Sequence, residues 1–320
     1  MHAPLLSIII VTWNCKHFVA QCLESIEQHA GIDHEVIVVD NDSADGTPVM
    51  IERQFPSVCV IRSGGNIGFA RGNNIGIAAS RGKYLALINP DVVLLEGCLQ
   101  EALNTLSGDC SVGIVGPAMV GPDGKVHRSG MRRPSIWNSF CDALLLHRLL
   151  GRRALFGGQM MADFDWRTRR DVEVLNGWLW LVRRAAVDRV GGLDERFFMY
   201  GEDVDWCRRF TDAGWRIVFE PASSAVHYGG GSSRQAPLRL YLELERAKRL
   251  YWSKYHSWPA CMVHDAVTWL HHGVRAAAFM LKRIRNRDDQ TLALKATRHM
   301  VCLGLMRASE GAAEHLGTTD

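Results

Sequence analysis

Leu5-Leu6-Ser7-Ile8-Ile9-Ile10-Val11-Thr12-Trp13-Asn14 is the stretch on which the fold turns. Residues 5–11 are almost continuously apolar and rich in β-branched side chains. A strand of that kind is buried on both faces, as in a parallel sheet covered by helices. The run then breaks at once into Thr12-Trp13-Asn14. It lacks a basic leader and a small-residue cleavage site, so it reads as a first strand and not as a signal peptide.

The chain downstream repeats the pattern. Phe18, Cys22, Leu23 and Ile26 have helical spacing, and residues 35–39 form a second apolar run closing on Asp40-Asn41-Asp42. A short helix is expected over 49–55 and a third strand over 58–61. Gly64-Gly65-Asn66-Ile67-Gly68-Phe69 then leads into a helix ending near Ser80. Residues 84–88 make a fourth strand ending on Asn89-Pro90-Asp91, followed by a helix over 95–106 and a fifth strand over 112–115. Strand and helix in alternation with short connections predict an α/β fold, its sheet mainly parallel and sandwiched by helices. Ligands of such sheets bind beyond the carboxyl ends of the strands. Those ends carry Thr12-Trp13-Asn14, Asp40-Asn41-Asp42, Asn66 and Asn89-Pro90-Asp91. Each alone reads as an ordinary polar turn; four at one edge read as a site. No G-x-G-x-x-G follows the first strand and no Walker A motif occurs, which argues against a dinucleotide or P-loop fold.

The second half is less regular. Arg128, Arg132 and Arg133 lie near Pro134, residues 144–150 look helical, and the span 116–171 suggests a mobile substrate loop. Residues 172–182 read as a strand kinked at Asn176-Gly177, with Trp178 and Trp180 on one side if the strand is regular. Phe197-Phe198-Met199-Tyr200-Gly201-Glu202-Asp203-Val204-Asp205-Trp206 then puts three acids into the first turn of a helix. Helix capping accounts for such acids without any chemistry, and Asp205 can pair with Arg209 one turn on. Strands over 215–219 and 225–228 deliver His227. A Gly/Ser loop fills 229–233.

Composition narrows the field. A net charge of +3 over 320 residues gives no global case for nucleic acid. The nine cysteines show no C-x-x-C pair and suit a reducing compartment. No apolar run reaches the roughly 18 residues of a spanning helix. Beyond Pro237 the chain becomes helical and basic. The 262–284 segment mixes Val263, Val267, Leu270, Val274, Phe279 and Leu281 with Arg275, Lys282 and Arg283. Such a helix either lies on an anionic membrane surface or packs on the main domain or a dimer partner. The expected division is a catalytic domain over 1–233 and a helical extension over 234–320.

Taken together, Ser7-Ile8-Ile9-Ile10-Val11-Thr12-Trp13-Asn14, Val38-Val39-Asp40-Asn41, Asn66-Ile67-Gly68-Phe69-Ala70, Asn89-Pro90-Asp91 and Gly192-Leu193-Asp194-Glu195 through Glu202-Asp203 resemble family 2 glycosyltransferases of the rhamnosyltransferase-like branch. The resemblance covers roughly residues 5–233. It implies the GT-A (Rossmann-like) fold, a nucleotide-diphosphate sugar donor, a divalent metal (Mg²⁺ or Mn²⁺) and inversion at the transferred sugar. By the same resemblance, Thr12, Trp13, Asn14 and Asp40 would hold the nucleobase and ribose, and Asn66, Gly68 and Arg71 would lie along the nucleotide and diphosphate. Asp91 would be the metal ligand of a D-x-D element, with Asn89 in place of its first acid. His227 would complete the metal site, Asp203 would be the catalytic base, and Glu202 its supporting neighbour. Trp178 is a candidate acceptor contact, because aromatic faces suit sugar C–H surfaces.

The expected activity is transfer of L-rhamnose from dTDP-rhamnose to a glycan or polyprenyl-diphosphate-linked acceptor, in cell-surface polysaccharide synthesis. The expected setting is cytoplasmic, peripheral to the inner face of the cell membrane, with a homodimer as one use of the tail. The alternatives are a UDP-sugar donor, or a non-catalytic nucleotide-sugar or glycan-binding scaffold. A nucleotidyltransferase would want a Gly-rich basic loop after the first strand, where Trp13-Asn14-Cys15 stands instead.

Overall fold

A computed structural model describes residues 3–146, 150, 154–161, 163–229, 237–286 and 289–304. Residues 147–149 of the helix expected at 144–150, and 230–233 of the loop at 229–233, lie outside these. The chain forms two compact units, one of residues 1–133 and 165–232 and the other of residues 134–164 and 233–320.

The first unit carries β1 (Leu6–Thr12), α1 (Lys16–His29), β2 (His34–Asp40), α2 (Thr47–Gln54), β3 (Cys59–Arg62), α3 (Phe69–Ala79), β4 (Tyr84–Ile88), β5 (Val92–Leu94), α4 (Cys98–Gly108), β6 (Val112–Val120), β7 (Val126–His127) and β8 (Gly130–Met131). The second unit interrupts it with α5 (Ile136–Ala143). The first resumes with β9 (Arg170–Asp171), β10 (Val174–Leu175), β11 (Leu179–Arg183), α6 (Arg184–Val190), α7 (Glu202–Asp212) and β12 (Arg216–His227).

The main sheet runs β3-β2-β1-β4-β11-β6-β12-β5. Its first four strands are parallel, β11 is antiparallel to both β4 and β6, and β5 is antiparallel to β12. Strand β1 is buried along its whole length, for a reason visible residue by residue. Leu6, Ile8 and Ile10 join Cys22, Leu23 and Ile26 of α1 in the large core. Ile9 and Val11 point the other way, onto α3. That helix can approach closely because it presents Gly72 and Gly76: a Cβ at Gly72 would stand 2.8 Å from Val11 Cγ1.

Two sequence expectations change. The span 116–171 is not one mobile loop; much of its described part is β6, β7, β8 and α5. The strands expected at 215–219 and 225–228 are one strand, β12, with a register shift between Glu220 and Ser224.

The second unit is helical, with α5, α8 (Pro237–Tyr255), α9 (Trp258–Arg285) and α10 (Gln290–Cys302). A single cut at 233 therefore misses part of it. The Arg275 guanidinium on α9 donates to the carbonyls of Asp142 and Ala143, at 2.8 and 3.1 Å, and so ties α5 to the C-terminal helices. Ser135 caps α5 by accepting from the Asn138 N–H, and Asp289 caps α10 by accepting from the Leu292 N–H. Burial pushes His271 down to about 3 and His299 down to about 4, with nearby cations adding to the effect. Along α9 lie large exposed apolar side chains, including Trp258 (75% exposed), Trp269 (62%) and Leu281 (66%). Among the described residues no helix is long and apolar enough to cross a membrane.

Candidate active site

The site is built at the carboxyl ends of β1, β2 and β4. The β1–β2 register sets Thr12 opposite Asp40. The Thr12 hydroxyl donates to Asp40 Oδ1 at 3.0 Å, and the Ser43 N–H donates to Oδ2 at 3.0 Å. Asn14 stands at φ 47° and Asp42 at φ 64°, a left-handed conformation that Asn and Asp tolerate better than most residues. The Asn14 N–H donates to Ser43 Oγ, and Asn14 Oδ1 accepts from the Ala44 N–H at 2.8 Å. These bonds fix the loop after β1 against the loop after β2. Trp13 and Asn14 are half-buried beside them.

At the start of α3, Gly68 is buried with φ 86°. A side chain there would collide with the Phe198 carbonyl, which accepts from the Phe69 N–H at 2.7 Å. Asn66 is exposed, and its side-chain oxygen accepts from the Gly68 N–H at 3.3 Å. Arg71 is exposed too and lies 3.8 Å from Glu195. Asn74, one turn on, exchanges hydrogen bonds with the Leu193 backbone at 2.8 and 2.9 Å. The segment leading to α7 is thus stitched to α3.

Asp91 is buried, and the register of β12 on β5, His227 opposite Val92, brings His227 beside it. His227 Nε2 lies 3.2 Å from Asp91 Oδ1. The Trp178 ring stacks on the His227 imidazole at 5.5 Å between centroids. Asn89 Oδ1 is buried without a hydrogen-bond partner. An imidazole nitrogen and a carboxylate oxygen this close fit a small divalent cation such as Mn²⁺ or Mg²⁺. Burial pushes the Cys15 thiol up to about 12, and the charges of Asp45, Asp91 and Asp40 reinforce the shift.

Glu202 and Asp203 open α7 after two successive left-handed residues, Tyr200 at φ 68° and Gly201 at φ 81°. A bulky residue in that region is strained, and such strain collects at functional sites. Glu202 is 5% exposed and its Oε2 has no partner. Burial first, and then the charge of Asp203, pushes the Glu202 carboxyl well above the usual range. Asp203 is only partly buried. Burial raises its carboxyl as well, opposed by backbone donors that include Val204, at 2.8 Å, and Gly177. Asp205 pairs with Arg209 at 2.8 Å as a structural bridge within α7.

Residues 176–178 join these parts, which the sequence did not reveal. Gly177 packs against Asp203, the Trp178 carbonyl accepts from the Asn89 N–H at 2.9 Å, and the Trp178 ring covers His227. Trp178 and Trp180 do not share a face. Trp178 lies outside β11, in the link after β10, whereas Trp180 packs on Trp206. Trp178 is 3% exposed, so in this structure its ring serves His227 and offers no open stacking surface. The buried, unpartnered Oδ1 atoms of Asn41 and Asn176 were also missed; only the polarity of their turns hinted at them.

Residues 7–171 match the Glycosyl transferase family 2 profile. The chain is 30% identical, over 254 residues, to N-acetylglucosaminyl-diphospho-decaprenol L-rhamnosyltransferase of Mycobacterium tuberculosis (strain ATCC 25618 / H37Rv), an alignment covering 73% of this chain and 79% of that protein. It is 24% identical to rhamnosyltransferase WbbL of Escherichia coli (strain K12), over 71% of this chain and 84% of the other. The solved structure of a mannosyltransferase from Pyrobaculum calidifontis, in complex with GDP-Man and Mn²⁺, superposes with a TM-score of 0.57 at 17% identity, over 95% of this chain and 87% of that one. The GT-A architecture that the family resemblance implies is therefore the one observed, and the chain belongs to glycosyltransferase family 2.

Proposed function

We propose that this glycosyltransferase moves L-rhamnose from dTDP-rhamnose, with inversion, onto a polyprenyl-diphosphate-linked glycan. The names of the M. tuberculosis and E. coli relatives support the sugar, and the first of them supports the lipid-linked acceptor. The observation that carries the mechanism is the partly buried Asp203, raised above its ordinary value by burial and held by the backbone N–H groups of Val204 and Gly177. A base with a raised pKa is a better proton acceptor.

In this reading Asp203 accepts the proton of the acceptor hydroxyl as its oxygen bonds to the anomeric carbon. The bond from that carbon to the diphosphate breaks on the opposite face, and the electron pair leaves with the nucleoside diphosphate. Glu202, pushed well above its ordinary value by burial and by the charge of Asp203, resists placing a second charge beside it. Thr12, Trp13, Asn14 and Asp40 hold the nucleoside, and Asn66, Gly68 and Arg71 lie along the diphosphate. Asp91 and His227, with Asn89 beside them, would hold Mg²⁺ or Mn²⁺, and a bound divalent ion would offset charge on the leaving phosphate. The exposed apolar row on α9, with Lys282 and Arg283 at its end, supports peripheral contact with an anionic membrane, where a polyprenyl acceptor resides.

Incubating purified protein with dTDP-, UDP- and GDP-sugars and a polyprenyl-diphosphate glycan, and detecting product by mass, tests the donor. Turnover with a UDP- or GDP-sugar, and none with dTDP-rhamnose, would reject the sugar assigned here. Flotation with anionic vesicles tests the membrane contact: Trp258→Glu with Trp269→Glu is expected to release the protein, and unchanged flotation refutes that contact.

A further inference from the structure

The second unit holds a histidine cluster that glycosyl transfer does not use. His271 and His272 are neighbours on α9, and His299 comes from α10; one ring nitrogen from each lies within 4.8 Å of the others. His272 and His299 are almost wholly buried, at 2% and 1% exposure. His271 is partly exposed, which leaves a route inward.

The hydrogen bonding is arranged for a cation. His272 Nδ1 and His299 Nδ1 face each other at 2.9 Å. Two ring nitrogens point at one place, and at most one of them can supply a proton to the other. The far side of His272 is held by a carboxylate: its Nε2 lies 3.5 Å from Glu245 Oε2. That partner draws the ring proton to Nε2 and leaves the Nδ1 lone pair facing inward, the orientation that carboxylates give metal-bound histidines. Tyr241 OH lies 3.4 Å from His299 Nδ1, on the rim of the same cluster. His299 Nε2 is buried with no hydrogen-bond partner, so hydrogen bonds alone leave the ring incompletely satisfied.

The dimensions also fit. Zn–N bonds of about 2.0–2.1 Å place tetrahedral ligand atoms about 3.3 Å apart. The His272–His299 pair is already near that spacing, and rotation of the partly exposed His271 ring closes the third side. Imidazole donors select late transition ions over Mg²⁺ or Ca²⁺. Glu245 contributes one negative charge, shared with Lys248 at 2.7 Å. Arg275 is engaged by the carbonyls of α5, and the Arg298 guanidinium lies over the Tyr241 ring at 4.5 Å. We propose that His271, His272 and His299 bind one divalent transition ion, Zn²⁺ or a chemically similar cation, that clamps α9 to α10. This site is separate from the Asp91–His227 pair and does not depend on the donor or acceptor.

The test uses the full chain carrying Asp91→Asn, which weakens the other candidate cation site. After chelation and dialysis, Co²⁺ serves as the probe. One equivalent is expected to bind with the visible absorption of a tetrahedral nitrogen site, Zn²⁺ is expected to displace it, and the melting temperature is expected to rise with either ion. In His272→Gln and, separately, His299→Gln, at least a tenfold weaker affinity is expected. X-ray absorption on the Zn²⁺-loaded protein with all three histidines intact should show imidazole scattering, a readout that survives if a variant fails to fold. No bound equivalent, no imidazole signature, or unchanged binding in both folded variants would leave a hydrogen-bonded imidazole cluster only and overturn the proposal.

Discussion

Two acidic regions of the catalytic unit are treated in opposite ways. Asp40, at the end of β2, has a donor on each carboxylate oxygen: the Thr12 hydroxyl and the Ser43 N–H. Glu202 and Asp203, at the start of α7, are both raised by burial: Glu202 Oε2 has no partner, and the backbone donors of Asp203 only oppose its rise. Asp40 is held as a hydrogen-bonded acceptor. At Glu202 and Asp203 burial outweighs the donors, so protonation relieves them. An acid beyond a strand and a pair at a helix start thus meet opposite surroundings, set by donors and by burial.

The largest break in this contrast should come from Asp203→Asn. Turnover is expected to fall by about 10²–10⁴-fold, the usual contribution of a general base. Donor affinity by calorimetry should stay near normal, and near-normal turnover in a pure sample would remove Asp203 from the mechanism. Asp40→Ala should show the reverse profile. It strips the Thr12 hydroxyl of its buried acceptor, a loss of about 1–3 kcal/mol, read as weaker donor binding together with a lower melting temperature. An unchanged donor KM would show that Asp40 only shapes the loop.

Gly68→Ala tests the link between the two regions. The new Cβ meets the Phe198 carbonyl at a backbone φ of 86°, so a loss of about 1–3 kcal/mol is expected in denaturant melts. Full stability would mean that the 198 segment shifts freely.

The smallest and most diagnostic change is Glu202→Gln. The Asp203 carboxyl is raised, so its basic form is lost on acidification at a higher pH than an ordinary Asp. Replacing the neighbouring acid by a neutral amide should leave that limb of the rate profile in place, since burial and not Glu202 raises Asp203. Stability follows the same sign. Glu202 is raised well above its ordinary value on folding, so the folded state gains from it only while it is protonated. That contribution is complete below the usual Glu range and is lost as the pH climbs toward the raised value. Glu202→Gln should therefore melt higher than the parent at neutral pH, with little difference in acid. A displaced limb, or identical melts, would overturn this account of the two acids.

Much of the floor of the site could be read in advance. The β1, β2 and β4 runs are apolar because both faces are covered, and the chain turns polar where that cover ends, at Thr12, Asp40 and Asn89. The pairing of Asp91 with His227 has no local signal. It depends on a twelve-residue strand, β12, with a register shift, laid against a three-residue edge strand. Period-two spacing assumes a strand that continues, so it gives a kink at Asn176-Gly177 where the structure has a link between β10 and β11. Residues 134–143 were assigned to the wrong unit since the Arg275 bonds that hold α5 span more than a hundred residues of sequence.

The interrupted course of the second unit has a consequence for how the protein is made. Helix α5 leaves the ribosome well before α9, and Arg275 is not there to receive the Asp142 and Ala143 carbonyls until most of the chain has been synthesised. The residues of the first unit are complete by 232, so that unit can close while α5 still waits. Cys141 and Ala143, wholly buried in the finished protein, lack the cover of α9 during that interval. A nascent chain stalled short of α9 would carry a finished sheet and an uncovered apolar helix, the kind of surface that chaperones and proteases detect.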